Sequence, residues 1–293
     1  MKFGAIDIGT NAARLLIGEI SPSGGHDIVK KISYTRIPLQ LGYDVFENGK
    51  ISSKKEKEFI KTIQAFKLIS EVFEVKELRA CATSAMREAQ NGKEIQKRIK
   101  AETGINIDII DGKEEGDLII STFELLNLDH KNPFLVIDVG GGSTEISMFH
   151  KGKRINSRSF KVGTIRLLKN KVKKTVWEDI NQWINANFEF NEKVKVFATG
   201  GNINKVHKLF ALKYMQPIYV EQLVDFHDEI SPLSLEDRIE KFQLKEDRAD
   251  VIVPAVEIYS KVLKSLKMGR VYVPKIGLSD GIVYHLHKKN SKK

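Results

Sequence analysis

Two apolar segments at the start of the chain are separated by a short polar turn. The stretch KFGAIDIGTNAARLLIGEI is rich in apolar residues on both sides of Gly9–Asn11. Gly9 can adopt backbone angles that other residues avoid. This pattern predicts two β-strands joined by a tight turn.

Helical and strand patterns then alternate. Ser53 and Glu56 form a capping-box signature, and apolar residues at helical spacing predict a helix that ends near Phe73. The pattern also predicts two strands and a helical region between them, over Glu77–Ala82, Ile105–Ile110 and Glu88–Glu102. Strands that alternate with amphipathic helices indicate an α/β fold.

The opening pattern occurs twice. AIDIGTNAARLLIGEI (Ala5–Ile20) and VIDVGGGSTEISMF (Val136–Phe149) each contain an apolar strand, Asp-x-Gly, a turn of small residues and a second apolar strand. A repeat about 131 residues apart predicts two domains of like construction. We place them at 1–128 and 129–293, with a polar boundary segment around 127–133, and allow the final helix to pack back on the first domain.

The second half continues the alternation. Strands are predicted over Arg154–Phe160 and Val194–Ala198, and a helix from Asn202. Two more helical segments are predicted over Arg248–Leu266 and Leu278–His287, the first interrupted by Pro254. A disordered basic tail, KKNSKK, is expected to follow.

Composition narrows the class of protein. The chain has 293 residues, of which 41% are apolar and 29% charged, enough for a core in each of two domains. Cys81 is the single cysteine, which excludes an internal disulfide framework and fits a reducing compartment. The sequence has neither a membrane-span pattern nor a signal-peptide pattern, so we expect a cytoplasmic protein.

The net charge of +10 is compatible with a polyanionic partner. Between Ile146 and Trp177 there is no Asp or Glu. That run contains ten cations: Lys151, Lys153, Arg154, Arg158, Lys161, Arg166, Lys169, Lys171, Lys173 and Lys174. It is either a solvated face or, from Lys169 to Lys174, a track for an extended polyanion.

The two repeated turns have the chemistry of phosphate loops. Glycines let backbone N–H groups approach an anion, and a carboxylate at a strand end can hold Mg²⁺. Each turn alone would also be an ordinary hairpin, but the pair favours phosphate binding. The pattern is neither a GxGxxG that opens a helix nor a Walker A sequence. Here Asp7 and Asp138 are the candidate metal ligands.

Three further segments place suitable groups at strand ends or helix starts. ATSAMR (82–87) combines hydroxyl groups with Arg87, and ATGGN (198–202) ends a strand with glycines. DGKEEG (111–116) supplies two adjacent carboxylates, Glu114 and Glu115, although acids at a helix start often only complement the helix dipole.

Together these segments resemble the exopolyphosphatase and guanosine pentaphosphate phosphohydrolase family, a branch of the actin, sugar kinase and heat-shock chaperone superfold. The matches run in order along the chain: DIGTNAARLLI, LGYDVFENGKIS, RACATSAMREAQN, IIDGKEEG, VIDVGGGSTEIS, VGTIRLL, VFATGGNINKV, RADVIVPAVEIY and GLSDGIVY. The resemblance implies an actin-like ATPase superfold (ribonuclease H-like), with two similar domains and an interdomain cleft.

The resemblance also implies roles for individual residues. Glu115 would be the general base, and Asp138 and Glu145 would position Mg²⁺, or another divalent cation, or the attacking water. The implied phosphate-binding residues are Thr10, Asn11, Arg14, Thr83, Ser84, Arg87, Gly140, Gly141, Gly142, Ser143, Thr144, Gly200, Gly201 and Asn202.

The chain departs from the family pattern at two places. Ala12 and Ala13 follow the first turn where the family usually has a serine, and Ser279 stands where GLREG has its arginine. We also expect a short family member, without the C-terminal helical domains of the long members.

The sequence therefore predicts a Mg²⁺-dependent exopolyphosphatase that acts on inorganic polyphosphate. The alternatives are hydrolysis of pppGpp, an ATP-dependent small-molecule kinase of the same superfold, and a non-enzymatic polyanion-binding regulator. We expect neither a membrane nor a nucleic acid as partner, and a homodimer is compatible with the family.

Overall fold

The structure is a computed structural model that describes residues 1–20, 29–123, 126, 132–151, 153–189 and 194–291. The chain divides into unit 1, Met1–Leu128 with Ile276–Lys293, and unit 2, Asp129–Lys275. Residues 276–293 thus belong to unit 1, and not to the second domain over 129–293. Most of the expected boundary segment, residues 127–131, lies outside the described residues.

Unit 1 is built on a five-stranded sheet of order β3-β2-β1-β4-β5. β1 is antiparallel to β2 and parallel to β4, as expected when a hairpin is followed by a helical crossover. The strands are β1 (Phe3–Ile8), β2 (Ala13–Ile20), β3 (Val29–Ile37), β4 (Glu77–Ala82) and β5 (Ile107–Ile109).

The first five helices belong to unit 1. They are α1 (Leu41–Asn48), α2 (Ser53–Val72), α3 (Ser84–Glu88), α4 (Gly92–Thr103) and α5 (Gly112–Ser121). The expected capping box of α2 is wrong by one residue. Ser52 is the N-cap and accepts a hydrogen bond from Lys55 N, whereas Glu56 is buried and forms an ion pair with Arg98 at 2.8 Å.

Unit 2 has a four-stranded sheet of order β8-β7-β6-β9, the same arrangement as the first four strands of unit 1. These strands are β6 (Phe134–Val139), β7 (Thr144–His150), β8 (Lys153–Phe160) and β9 (Lys195–Thr199). A small second sheet pairs β10 (Ile218–Tyr219) with β11 (Arg270–Val271). The common strand order confirms that the two halves have like construction.

The helices of unit 2 surround one apolar core, to which Leu135, Ile137 and Ile146 of the sheet contribute. The helices are α6 (Thr164–Leu168), α7 (Val176–Asn187), α8 (Gly201–Leu209), α9 (Val220–Ile230), α10 (Leu235–Phe242), α11 (Glu246–Ala249) and α12 (Ile252–Ser265). The expected interruption lies before α12, and Pro254 lies in its first turn, where proline costs no helical hydrogen bond.

The last helix, α13 (Leu278–Ser291), packs on α5, β1 and β2 of unit 1. A Cβ atom on Gly281 would lie 2.1 Å from the carbonyl oxygen of Leu118, so only glycine allows this approach of α13 to α5. The prediction of a disordered tail is wrong up to Ser291, because Lys289 and Asn290 bind the Glu77 carboxylate at 2.5 and 2.9 Å. No helix among the described residues is both long and apolar enough to cross a membrane.

Candidate active site

Three polar side chains form a row across the sheet of unit 2. Strand pairing sets Thr199 beside Asp138 and Asp138 beside Glu145, so β9, β6 and β7 each contribute one member. Paired residues in a sheet place their side chains on the same face. The hydroxyl of Thr199 donates to Asp138 Oδ1 at 2.5 Å. The sequence reasoning selected the two acids but missed Thr199.

The Glu145 carboxyl lies in an unusual electrostatic environment. Its side chain is 13% exposed, and burial raises its pKa to about 7. The charge of Asp138 adds to that rise, whereas Ser147, Arg154 and Ser157 oppose it. Arg154 lies 4.0 Å away and does not fully compensate the acid pair. A cation beside Asp138 and Glu145 would lower the cost of ionising both.

The glycine loop that joins β6 to β7 is held by its carbonyl groups. Gly140 O accepts from Thr164 N at 3.0 Å, and Gly141 O accepts from Ile165 N at 2.9 Å. Arg166 is buried and donates from Nε to Gly142 O at 2.9 Å. The start of α6 and one arginine side chain therefore fix the loop from its carbonyl side.

The same loop retains unused donors. Within the described part of the chain, no backbone carbonyl accepts from the amides of Gly141, Gly142 and Ser143. Successive amides of this kind form an anion-binding nest. Thr144, which was expected to contact phosphate, is fully buried and donates to Val162 O at 2.7 Å. Its hydroxyl supports the loop in this structure.

The turn after β9 lies against the end of β6, the strand that leads into the glycine loop. Gly200 has φ 118°, and a Cβ there would be 2.9 Å from Val139 O. Asn202, just inside α8, is buried and accepts from Arg248 Nη1 at 2.8 Å. Gly200, Gly201 and Asn202 thus lie next to the Asp138 strand, and Arg248 is a support that the sequence reasoning did not select.

Unit 1 has the matching row with different chemistry. Strand pairing sets Cys81 beside Asp7 and Asp7 beside Arg14. Arg14 Nη1 forms an ion pair with Asp7 Oδ2 at 2.7 Å, so both residues already have a charged partner. Burial raises the pKa of the Cys81 thiol to about 12, which keeps it protonated and unsuited to act as a nucleophile.

The turn between β1 and β2 is also held by its carbonyls. Thr10 O accepts from Gly42 N and Asn11 O from Gln40 N, both at 2.9 Å. The hydroxyls of Thr10 and Ser84 lie 2.8 Å apart and are both buried. This contact joins two of the predicted phosphate segments.

Three further predicted residues, Arg87, Glu114 and Glu115, also belong to unit 1. Thr83 N donates to Ile8 O, which fixes the start of α3 beside β1. Arg87 is exposed and donates one hydrogen bond to Ile110 O at 2.6 Å. Glu114 is exposed and is bound by Arg79 at 2.7 Å, whereas its neighbour Glu115 is half-buried. The structure therefore assigns different surroundings to the two adjacent acids.

The oxygen-rich surroundings of Asp138 fit a hard divalent cation better than those of Asp7. Mg²⁺ is commonly held by one or two carboxylates and completed by substrate phosphates and water. Asp138 and Glu145 supply such a pair, but Asp7 already neutralises Arg14. Among the described residues there is no cluster of three or more His, Cys, Asp or Glu side chains arranged to bind a metal.

The basic run is not one continuous surface. Arg166 is buried behind the glycine loop and Arg154 lies beside Glu145. Lys171, Lys173 and Lys174 are exposed, and Lys169 is half-buried, in the segment between α6 and α7. The sequence predicted the charge correctly but could not separate its internal members from its exposed ones.

Fold and site together define a two-unit protein of the actin-like ATPase superfold with a glycine turn after the first strand of each unit. The profile of the Ppx/GppA phosphatase family matches residues 20–290, and the chain belongs to that family. Solved structures agree on the fold. The Aquifex aeolicus Ppx/GppA phosphatase has a TM-score of 0.73 at 24% identity over 97% of this chain and 99% of its own. An exopolyphosphatase from Cytophaga hutchinsonii has a TM-score of 0.83 at 21% identity over 99% and 98%.

Curated relatives match over shorter stretches. Exopolyphosphatase 1 of Mycobacterium tuberculosis strain H37Rv is 32% identical over 147 residues, which are 50% of this chain and 42% of that protein. A bifunctional 3-dehydroquinate synthase/phosphatase of Fusobacterium nucleatum is 31% identical over 170 residues, 56% of this chain and 25% of that protein. The chain thus spans less than half the length of these relatives.

Proposed function

We propose that the protein is a phosphoric anhydride hydrolase that releases terminal phosphate from inorganic polyphosphate with the help of a divalent cation. The observation that carries the proposal is the row in unit 2. An acid pair, in which burial and the charge of Asp138 raise the pKa of Glu145, lies at the strand ends that flank a glycine loop. In the described part of the chain, no backbone carbonyl accepts from three amides of that loop. A cation would offset the negative charge of the acid pair, and a phosphate group would accept hydrogen bonds from the loop amides.

Each group then has a defined task. The loop amides of Gly141, Gly142 and Ser143 bind phosphate oxygens, and Asp138 and Glu145 hold the cation or the water. A divalent cation bound there would neutralise charge on the phosphate and polarise it. Glu115 orients a water molecule and removes its proton for in-line attack. Positioning and electrostatic stabilisation supply most of the acceleration.

The polymer is the proposed substrate because of Lys169, Lys171, Lys173 and Lys174. They follow α6, the helix whose start holds the glycine loop. A row of lysines binds a flexible polyanion through charge, without selecting a base or sugar. The name of the mycobacterial relative, exopolyphosphatase 1, agrees with this choice.

The deciding experiment measures phosphate release from long polyphosphate, tripolyphosphate, pppGpp and ATP, each with and without Mg²⁺. We expect the fastest cation-dependent release from long polyphosphate. Preference for pppGpp would change the proposed substrate but not the proposed class of reaction. Binding of polyphosphate without release of phosphate from any substrate would refute hydrolysis and favour a binding protein.

A further inference from the structure

Two serines contact the Glu145 carboxyl from neighbouring strands. Ser147 lies two residues along β7, and Ser157 is its partner on β8. Ser147 Oγ is 3.1 Å and Ser157 Oγ 3.3 Å from Glu145 Oε1, and the two hydroxyl oxygens are 2.9 Å apart. Ser147 is 2% exposed. A buried hydroxyl is paired in nearly all proteins, and here its partners are a serine and the site carboxylate.

The number of hydroxyl hydrogens limits how many of these three contacts are hydrogen bonds. Two hydroxyl groups carry two hydrogens for three oxygen–oxygen contacts, so at most two contacts are hydrogen bonds when Glu145 is ionised. The shortest arrangement is a chain in which Ser157 donates to Ser147 and Ser147 donates to Glu145 Oε1. Ser147 is then the direct contact, and Ser157 orients Ser147.

Both serine contacts to Glu145 are made to the same carboxylate oxygen, Oε1. Arg154 Nη1 also approaches Oε1, at 4.0 Å. Within the described part of the chain, no side chain or backbone group donates a hydrogen bond to Oε2. One oxygen is therefore anchored to the sheet and the other is available to a ligand.

We propose that Ser147 and Ser157 form a clamp that positions Glu145 for the reaction, with Oε1 held by the serines and Oε2 turned to the attacking water. The catalytic consequence rests on the proposed function, but the clamp itself does not. The serines are positioning residues, since they act through Glu145 and touch no reacting atom. An unclamped glutamate has three rotatable bonds and would sample several rotamers, which costs entropy at the chemical step.

The test compares Ser147→Ala, Ser157→Ala and the double variant with Ser157→Thr, which retains the hydroxyl and suits a strand. Ser159→Ala is the matched control. Ser159 is exposed on the same strand, opposite Glu145, and makes no hydrogen bond to Glu145 in the described structure.

We expect kcat of the double variant to fall by roughly 10–100-fold while KM changes little, because the loop amides still bind phosphate. Ser147→Ala should cost more than Ser157→Ala, and Ser157→Thr should retain most activity. Crystal structures should show Glu145 in more than one conformer in the double variant and in a single conformer in the unaltered protein. Unaltered melting temperature in Ser157→Ala would exclude misfolding as the cause.

The crystallographic result decides the clamp even if no substrate is hydrolysed, a result that would remove the proposed function alone. Glu145 in the same single conformer in the double variant would overturn the clamp. A KM increase equal to the kcat loss would overturn its catalytic role, and so would no loss in kcat from an active protein.

Discussion

The two halves of the molecule share a scaffold but carry opposite charge arrangements on it. In unit 1 the strand pairing sets Asp7 opposite Arg14, and the two form an ion pair at 2.7 Å. In unit 2 the equivalent pairing sets Asp138 opposite Glu145, and burial with a second acid nearby raises the pKa of Glu145 to about 7. The first row contains its own positive charge, Arg14, whereas Arg154 lies 4.0 Å from Glu145 in the second.

The two halves share the way in which the turn is fixed but differ in the charge beside it. Both turns are fixed through their carbonyls, by Gln40 and Gly42 in unit 1 and by the start of α6 in unit 2. Because the turns are held through their carbonyl groups, backbone N–H groups are left that can bind anions. The difference of one residue, Arg14 against Glu145, supports the proposal of a cation in unit 2. The sequence analysis named both Asp7 and Asp138 as candidate metal ligands, and the family resemblance gave the Mg²⁺ role to Asp138.

The largest effect is expected for Asp138→Ala. Loss of this carboxylate removes the proposed cation anchor, so phosphate release should fall to background. Asp7→Asn is the matched change in unit 1 and should retain the divalent dependence, because Asp7 is already paired with Arg14. Steady-state rates against Mg²⁺ concentration measure both. Full activity of Asp138→Ala in excess chelator would contradict the metal role.

Glu115→Gln should lower kcat by ~10²–10⁴, the range for loss of a general base, with substrate affinity retained. Its neighbour provides the control, since Glu114 is exposed and bound to Arg79 at 2.7 Å. Glu114→Gln should change stability by less than about 1 kcal/mol and leave kcat near that of the unaltered protein. If Glu114→Gln is inactive and Glu115→Gln active, the assignment of the base is wrong.

The raised pKa of Glu145 predicts a pH-dependent penalty. Burial raises the pKa from 4.5 to about 7, so between these values the folded protein holds a proton that the unfolded chain releases. The contribution of Glu145 to stability is therefore greatest below pH 4.5 and is lost as pH rises to 7. Without divalent cations, Glu145→Gln should stabilise unit 2 at pH 8 by on the order of 1–3 kcal/mol.

Thermal unfolding at pH 5 and pH 8 tests this prediction. The gain in Glu145→Gln should be larger at pH 8, and added Mg²⁺ should reduce it by stabilising the ionised acid of the unaltered protein. Glu240→Gln, an exposed change in the same unit, is the control and should show no such difference. A gain that is equal at both pH values would contradict the burial argument.

The smallest effect is expected from the four lysines between α6 and α7. Replacing Lys169, Lys171, Lys173 and Lys174 with glutamine should raise KM for long polyphosphate several-fold and flatten its salt dependence. The kcat on tripolyphosphate should change little. The control replaces four exposed lysines of unit 1, Lys50, Lys54, Lys57 and Lys61. If the two sets of substitutions have equal effects, the lysines between α6 and α7 contribute only net charge and do not bind the polymer at a specific place.

Local pattern was sufficient for most of the scaffold. The repeated Asp-x-Gly turns predicted both hairpins, because strand alternation and glycine turns are encoded within a few residues. It was insufficient where local signals compete. Ser52 and Ser53 are both good N-caps, and the structure uses the first. Helix α1 was missed although its residues were noted, since Gln40 before it adopts left-handed angles that no propensity indicates.

Most of the site residues that the sequence missed act across long separations. Arg166 holds Gly142 from 24 positions away, and Ser157 reaches Glu145 from the next strand. Nothing in the basic run distinguishes Arg166 from its exposed neighbours until the fold buries it. The chemistry of the strand-end acids was visible in the sequence, but the groups that tune them depend on strand register.

The most direct test of the difference between the two rows is a titration with Mn²⁺, followed by electron paramagnetic resonance in the presence of inorganic phosphate. We expect the unaltered protein and Asp7→Asn to bind the ion with the same affinity and Asp138→Asn not to bind it. Binding retained in Asp138→Asn, or lost in Asp7→Asn alone, would contradict the assignment of the cation to unit 2.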